Sequence, residues 1–349
     1  MVKSLGEFTP SKAIVFLMPY RNDIWRDSCR PAQDMIVELA NAVAPYERVI
    51  LGVVKEIKEG ILSRYKFHKN VELIEMKYND CWPRDSISNV VFDENNKPFI
   101  YSYHFNSYGD GLYRPWDDDD ALDEEIAKIF SYPLKQSPLT LEGGNMVSDG
   151  EGTLFVVEDA LVNDNRNKGL SKEFIEESLK ESTGCKQIVW IKYGLDFDET
   201  GGHIDNIIAF ADSKTMLLSW TDDKNNHHYE RVREIQKQLE GITNLKGEKY
   251  HVVRVPVAPI TYRSEEDCRG IVIKDSSFAR EVGDPVLNTY INIIIANGVI
   301  VVPKYNIPLD KEAYEVMKKV FPNREIIQID AKEASLGGGG FHCLSKHIN

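Results

Sequence analysis

The sequence predicts an α/β fold assembled from a repeated strand, strand, helix, strand unit, and three observations predict it. Hairpin patterns recur along the chain. Each is followed by a segment of helical period and then by one more strand. The two ends of the chain each supply part of a further copy, so that joining them closes the repeat into one quasi-cyclic domain over residues 1–349.

The clearest hairpin is carried by Asn297-Gly298, a two-residue turn pair between the β-rich runs 291–296 and 299–302. Similar pairs stand at 88–92 with 99–103, at 145–148 with 153–157 around Asp149-Gly150-Glu151-Gly152, and at 204–210 with 215–219. The helical segments that follow are 118–130, 171–182, 229–239 and 310–320, and the last three lead into strands at 187–192, 251–257 and 325–330. The fifth, split copy draws on a strand at 13–18, a helix at 32–43 with apolar residues at Met35, Ile36, Leu39 and Val43, and a strand at 48–54. The C-terminal strand around Cys343 completes it. The hairpins beginning at Ser88, Asn145 and Ile204 are almost evenly spaced and the next, at Ile291, comes late, which places an insertion before it. No run rich in Pro, Gly or Ser divides the chain, so one domain is favoured over two.

Composition narrows the class. The 349 residues are 42% hydrophobic and 28% charged, enough for a large buried core. A net charge of −13 disfavours nucleic acid and anionic membranes and suits solubility or a small cationic substrate. Five scattered cysteines (29, 81, 185, 268 and 343) show neither CxxC spacing nor the density of a secreted disulfide framework, so a reducing cytoplasm is expected. The apolar stretch 13–18 is too short for a signal core and is stopped by Pro19, and nothing is long enough to span a bilayer.

Function is suggested by where the polar groups fall. Asp85, in Asp80-Cys81-Trp82-Pro83-Arg84-Asp85, precedes its hairpin by three positions. Glu142, in Leu141-Glu142-Gly143-Gly144-Asn145, does the same. His203 and Asp205 stand at the mouth of the third, in Glu199-Thr200-Gly201-Gly202-His203-Ile204-Asp205-Asn206. Cys343 closes the run Gly337-Gly338-Gly339-Gly340-Phe341-His342-Cys343. A terminal glycine run is ordinarily a disordered tail, but Phe341, His342, Cys343 and Leu344 have little use in one, whereas glycines let a backbone pass close to a ligand. Singly, each acid reads as a turn or capping residue, and His203 as an interior histidine. Together they deliver one polar group per unit to a common ring. The glycine run lacks a following Lys-Ser or Lys-Thr and is no phosphate loop. Zinc-ligand spacings and Gly-x-Ser-x-Gly are absent.

These motifs, which extend over nearly the whole chain, resemble those of the agmatine deiminases within the guanidine-modifying superfamily. Supporting segments are Pro19-Tyr20-Arg21-Asn22-Asp23-Ile24-Trp25, Tyr103-His104-Phe105-Asn106, Trp116 with Asp117 to Asp120, Asn163-Asp164-Asn165-Arg166-Asn167 and Ser219-Trp220-Thr221-Asp222-Asp223. The resemblance implies a pentein-type α/β propeller, five ββαβ units around a pseudo-five-fold axis, and a homodimer. It implies hydrolysis of agmatine to N-carbamoylputrescine and ammonia with no metal or organic cofactor. Cys343 would attack as thiolate, Asp85 and Asp205 would grip the guanidinium, His203 would move protons, and Glu142 would orient His203. Trp82 and Gly339 would line the substrate, Asp23 would take its amine end, and Asp117 to Asp120 would lie near the pocket besides favouring a helix start.

Ordinary roles are assigned elsewhere. Cys29, Cys81, Cys185 and Cys268 read as packing residues and His227-His228 as a solvated loop. Departures from the family bear on substrate: Ser86-Ile87-Ser88 stands for Thr-Gly-Pro, Gly340 for Asn, and Phe8 and Ser11 for Trp and His. Hydrolysis of a guanidine is therefore firmer than the choice of agmatine over another guanidino compound such as arginine. An amidinotransferase of the same fold is the second alternative. A non-catalytic relative of the ribosome anti-association kind would lack the nucleophile.

Overall fold

A computed structural model describes residues 2–349. Strand β1 (Ala13–Leu17) is entirely buried and leads through a short turn into α1 (Arg30–Val43), whose apolar stripe Met35, Ile36, Leu39, Ala40 and Val43 faces the core. Strand β2 (Val49–Val53) then lies parallel to β1. Helix α2 (Lys55–Arg64) and strand β3 (Val71–Glu75) follow, and β3 adds a parallel edge that the sequence pattern did not predict.

The next unit opens with the one-turn helix α3 (Pro83–Ser86), then β4 (Val90–Phe92) antiparallel to β5 (Pro98–His104). The turn α4 (Ser107–Asp110), α5 (Asp117–Asp120) and α6 (Leu122–Phe130) carry the chain to β6 (Leu134–Thr140), parallel to β5. The pattern repeats with β7 (Val147–Ser148), β8 (Thr153–Val157), α7 (Lys172–Thr183) and β9 (Gln187–Ile191). It recurs with β10 (Ile208–Phe210), β11 (Thr215–Trp220), α8 (Tyr229–Leu239) and β12 (His251–Pro256). The late spacing before the last hairpin is explained by an excursion that holds the small pair β13 (Thr261–Tyr262) and β14 (Pro285–Val286). Then come β15 (Ile294–Ile295), β16 (Val299–Lys304), α9 (Leu309–Val320) and β17 (Glu325–Asp330), with the Asn297-Gly298 turn where it is expected. After α10 (Lys332–Gly337), β18 (Lys346–Ile348) pairs antiparallel with β1, so the two ends of the chain share one sheet as the split copy requires.

Each repeated unit thus forms its own small sheet, one antiparallel pair followed by one parallel partner, within an α/β fold. Two expectations change in detail. Residues 204–206 and 143–145 form tight 3₁₀ turns, not strand starts, and Cys343 lies in a turn ahead of β18. The reason is common to all of them: a strand would alternate these side chains between faces, whereas a turn at the strand mouth aims them together. His228 is also corrected. It is fully buried, its two ring nitrogens lack partners, and burial pushes its pKa down to about 4. His227 beside it is exposed and faces Asp196 at 3.1 Å. Among the described residues, no helix is long and apolar enough to cross a membrane.

Candidate active site

Three turns at equivalent places carry the acids: α3 holds Asp85, the turn Gly143–Asn145 follows Glu142, and the turn Ile204–Asn206 follows His203 and holds Asp205. They meet around Gly144. A Cβ on that glycine would lie 2.6 Å from His203 Nδ1, 2.7 Å from Asp85 Oδ1 and 3.1 Å from Asp205 Oδ2, so only a residue without a side chain lets the three converge. The Gly144 N–H donates to Asp85 Oδ1 at 2.8 Å, and Tyr108 Oη donates to Asp85 Oδ2 at 2.9 Å.

The sulfur joins this group through Asp205. Cys343 Sγ lies 3.5 Å from Asp205 Oδ2 and accepts from Asn292 Nδ2 at 3.2 Å. Asn292 Oδ1 also accepts from the backbone N–H groups of His342 and Cys343, at 2.8 and 3.3 Å, which fixes the turn that presents the thiol. Trp82, Asp85, Gly339 and Cys343 line one narrow cavity, together with Asp80, Tyr108, Thr200 and Arg280. Gly339 is there for its lack of bulk: a Cβ would press within 2.6 Å of the Trp82 ring and 3.2 Å of Cys343 Cβ.

Electrostatics sort the groups by role. Burial opposes charge on His203, but Asp85, Glu142 and Asp198 outweigh it and raise its pKa to about 9, so the ring is an imidazolium at neutral pH. Its nitrogens stand 3.8 Å from Asp85 Oδ1 and 3.8 Å from Glu142 Oε2. Burial would lift Glu142, yet Arg166 and then His203 bring it down to about 2; Arg166 Nε donates to Glu142 Oε1 at 2.7 Å. Burial, then the carboxylates of Asp205 and Asp85, push the Cys343 thiol well above its ordinary range. Burial and the charge on Asp205 likewise raise Asp85, against the pull of His203. Both ring nitrogens of His203, Glu142 Oε2 and Asp205 Oδ1 are buried without hydrogen-bond partners. Buried polar atoms seldom go unsatisfied; here the His203 nitrogens face Asp85 and Glu142 at ion-pair distance, and Asp205 Oδ1 is left as an acceptor for a ligand.

The structure therefore brings together Cys343, His203, Glu142, Asp85 and Asp205, with Trp82 and Gly339 at the cavity wall. Asp23 is placed differently. Its carboxylate is engaged by Arg21 Nη2 at 2.7 Å and by Lys274 Nζ at 3.4 Å, while its neighbour Ile24 lines the cavity. Asp119 braces the wall from behind, accepting from the backbone N–H of Asn79 and from Tyr113 Oη at 2.7 and 2.6 Å. Tyr108, Arg166, Asn292 and Arg280 escape sequence reasoning as site residues. Two leave a trace: Arg166 within the segment Asn163-Asp164-Asn165-Arg166-Asn167, and Asn292 as a polar residue within the apolar run 290–296. Arg280 comes from the excursion before the last unit. Its Nη2 pairs with Glu199 at 2.5 Å, and its buried Nη1 has no partner.

With this geometry in view, the likeness to known proteins is specific. The chain belongs to the Porphyromonas-type peptidyl-arginine deiminase family, whose model it matches over residues 3–348. It is 34% identical to the agmatine deiminase of Stutzerimonas stutzeri (strain A1501) over 346 residues, covering 98% of this chain and 94% of that protein. Among solved structures, it superposes on the agmatine deiminase of Enterococcus faecalis with a TM-score of 0.94 at 28% identity, covering 99% of this chain and 95% of that one. A Cys-to-Ser variant of the agmatine deiminase of C. jejuni, solved with substrate bound, gives a TM-score of 0.86 at 25% identity over 100% of this chain and 96% of that one.

Proposed function

We propose that the protein hydrolyses the guanidinium of agmatine to N-carbamoylputrescine and ammonia. The observation that carries this reading is the set of unsatisfied buried atoms around Gly144, with a thiol 3.5 Å from one of the carboxylates. A guanidinium is planar and donates in a fork, so two acid side chains that meet at one glycine are suited to grip it edge-on. Asp85 and Asp205 take that part. Cys343, neutral in the free enzyme, releases its proton to solvent when the cation enters, since a positive charge beside the sulfur offsets the burial and the two acids that hold the thiol protonated. The thiolate attacks the central carbon. His203, already protonated, gives its proton to the departing amino group, so ammonia leaves neutral and an S-alkylthiouronium remains. The neutral imidazole then takes a proton from water as that oxygen adds to the same carbon. Collapse returns the sulfur, which takes up the proton of the added hydroxyl and is a thiol again, and releases the ureido product; the net change is guanidinium and water to ureido product, ammonia and one proton. Glu142 holds His203 in orientation, itself anchored by Arg166.

Two further parts belong to the same reading. The five repeated units stand around a pseudo-five-fold axis as a pentein-type propeller, supported by the joining of β18 to β1 and by contact among the acid-bearing turns. The chain acts as one catalytic domain, in a homodimer, in the cytoplasm; five unpaired cysteines support the reducing compartment.

One observation favours a second substrate. The unpartnered Nη1 of Arg280, at the cavity wall, would suit a carboxylate, and agmatine has none while arginine does. Incubation with agmatine and with arginine separately, following ammonia and product mass, decides between them. Agmatine is expected to be turned over with the higher kcat/KM. A preference for arginine would reassign the substrate, and full activity in Cys343→Ala would defeat the mechanism.

A further inference from the structure

Behind Asp205 lies a second buried histidine that the reaction above does not use. His342 Nδ1 meets Asp205 Oδ2 at 2.8 Å, the same oxygen that faces the Cys343 sulfur, and His342 Nε2 meets Glu7 Oε2 at 2.7 Å. A ring nitrogen facing a carboxylate must carry hydrogen to bond it, so a ring held between two carboxylates is an imidazolium. Glu7 arrives from the N-terminal segment. That segment is pinned to two different units, by the reciprocal backbone bonds of Lys3 with Phe92 and by the Ser4 N–H to the Thr183 carbonyl. The other oxygen of Glu7 pairs with Arg84, which in turn contacts His347 Nδ1 at 3.0 Å and the His342 carbonyl at 3.3 Å. Glu7, His342 and Asp205 also line a separate, largely apolar cavity to which neither Cys343 nor Asp85 contributes. The chain of contacts thus runs from the reacting sulfur out to the opposite side of Asp205.

We propose that Glu7 is a positioning residue for the reaction: through His342 it fixes the Asp205 carboxylate against the substrate guanidinium and the Cys343 sulfur, making the N-terminal segment a working part of the site. The charged and titratable groups facing His342 agree with this arrangement. Glu7 and Asp205 raise it against the opposition of burial and of Arg84, and Glu7 itself sits well below its ordinary range because Arg84 and His342 outweigh its burial. His347, on β18, is pushed down to about 4 by burial and is neutral; Lys346 is brought to about 7 by burial and then by Arg84, and bonds Asn89. Asn292 meets only the His342 backbone. Because one Asp205 oxygen serves both ring and sulfur, a shift of the ring moves the acid that grips the substrate.

The inference rests on the deiminase reading, and wild-type turnover of a guanidino substrate tests that reading first. With an active enzyme in hand, Glu7→Gln keeps an acceptor for His342 but removes the charge that holds its second proton. Its kcat/KM is expected to fall about ten-fold or more, and the decline on the alkaline side should begin about one pH unit lower than in the wild type, where His203 sets it, because His342 now loses its second proton first. Glu7→Asp restores part of both. A folded Glu7→Gln enzyme with the wild-type rate and profile would overturn the proposal, as would a fall in rate tracking lost stability with the profile unmoved. Should Glu7→Gln not fold, because Arg84 is left unpaired, nitrogen-15 histidine spectra of the wild type decide, with His342→Gln identifying the signal. Hydrogen on both His342 ring nitrogens at about pH 8 is expected, and a singly protonated ring refutes it.

Discussion

Replacing Asp205 by Asn separates two jobs that the geometry gives to one carboxylate. Its Oδ2 stands 3.5 Å from the Cys343 sulfur and contributes to holding the thiol protonated in the free enzyme. A unit charge at that distance acts on a thiolate with about 5 kcal/mol at an effective dielectric constant of about 20, and the His342 imidazolium on the same oxygen, at 2.8 Å, offsets part of this field. Asp205→Asn should therefore lower the thiol pKa, and alkylation by iodoacetamide should reach its half-maximal rate at lower pH. Turnover should move the other way. Losing a charge-assisted bond to the guanidinium costs about 1.5–3 kcal/mol, or between about ten- and a hundredfold in kcat/KM. A more reactive thiol in a slower enzyme is the expected signature. An alkylation midpoint that stays put would show that this carboxylate is not what restrains the sulfur. A fall in kcat/KM of only about two-fold would show that it does not hold the substrate.

Three further outcomes follow from the same contacts. Gly144→Ala drives a methyl group between His203, Asp85 and Asp205, so kcat should fall at least about a hundredfold in ammonia assays while thermal unfolding shifts modestly. Arg166→Met leaves Glu142 a buried charge without its guanidinium; a loss of about 3–5 kcal/mol in urea unfolding is expected, with activity lost as His203 loses its anchor. For His203, the folded pKa of about 9 lies above an unfolded value of 6.5, so its contribution to stability is full below about 6.5 and is lost as pH rises through about 9. The rate of the chemical step should decline through the same range as the general acid deprotonates, and Glu142→Gln should move that decline to lower pH in single-turnover profiles.

The hairpins and amphipathic helices are legible in the sequence because alternation and helical period are properties of neighbouring residues. Helix α2 and edge strand β3 are not, because little of either is buried: Ile61 is the buried residue of the helix, and the strand is nowhere fully covered. Asp85, Glu142, His203, Asp205 and Cys343 can be read because each sits at a corresponding place in a repeated unit or in a dense glycine motif. Glu7, Asn292 and Arg280 cannot, since their roles exist only across the fold. Glu7 reaches His342 from the other end of the chain, and Arg280 reaches the cavity from an excursion outside the repeat. His228 lies in a turn as expected but is not solvated, for a related reason: nothing next to it in sequence reveals that the protein closes over it.

Charge balance ties the separate features to one event. Without substrate, the network sets the buried carboxylates of Asp85, Asp205 and Glu142 and the partly exposed one of Glu7 against the cations His203, His342, Arg84 and Arg166, with the thiol neutral. The partners offset part of the cost of burial, Arg166 with Glu142 at 2.7 Å more closely than His203 with its two acids at 3.8 Å. A guanidinium entering this balanced interior brings one unpaired positive charge, which burial would penalise heavily unless a negative charge appears beside it. The group able to supply that charge without breaking an existing pair is Cys343, whose proton can leave while every ion pair stays intact. Neutral ligands of the same shape would bind without creating a thiolate, and free thiol reagents would find the site unreactive. The high thiol pKa of the empty site is then part of how the enzyme selects cations, since the nucleophile forms only when the right charge has arrived.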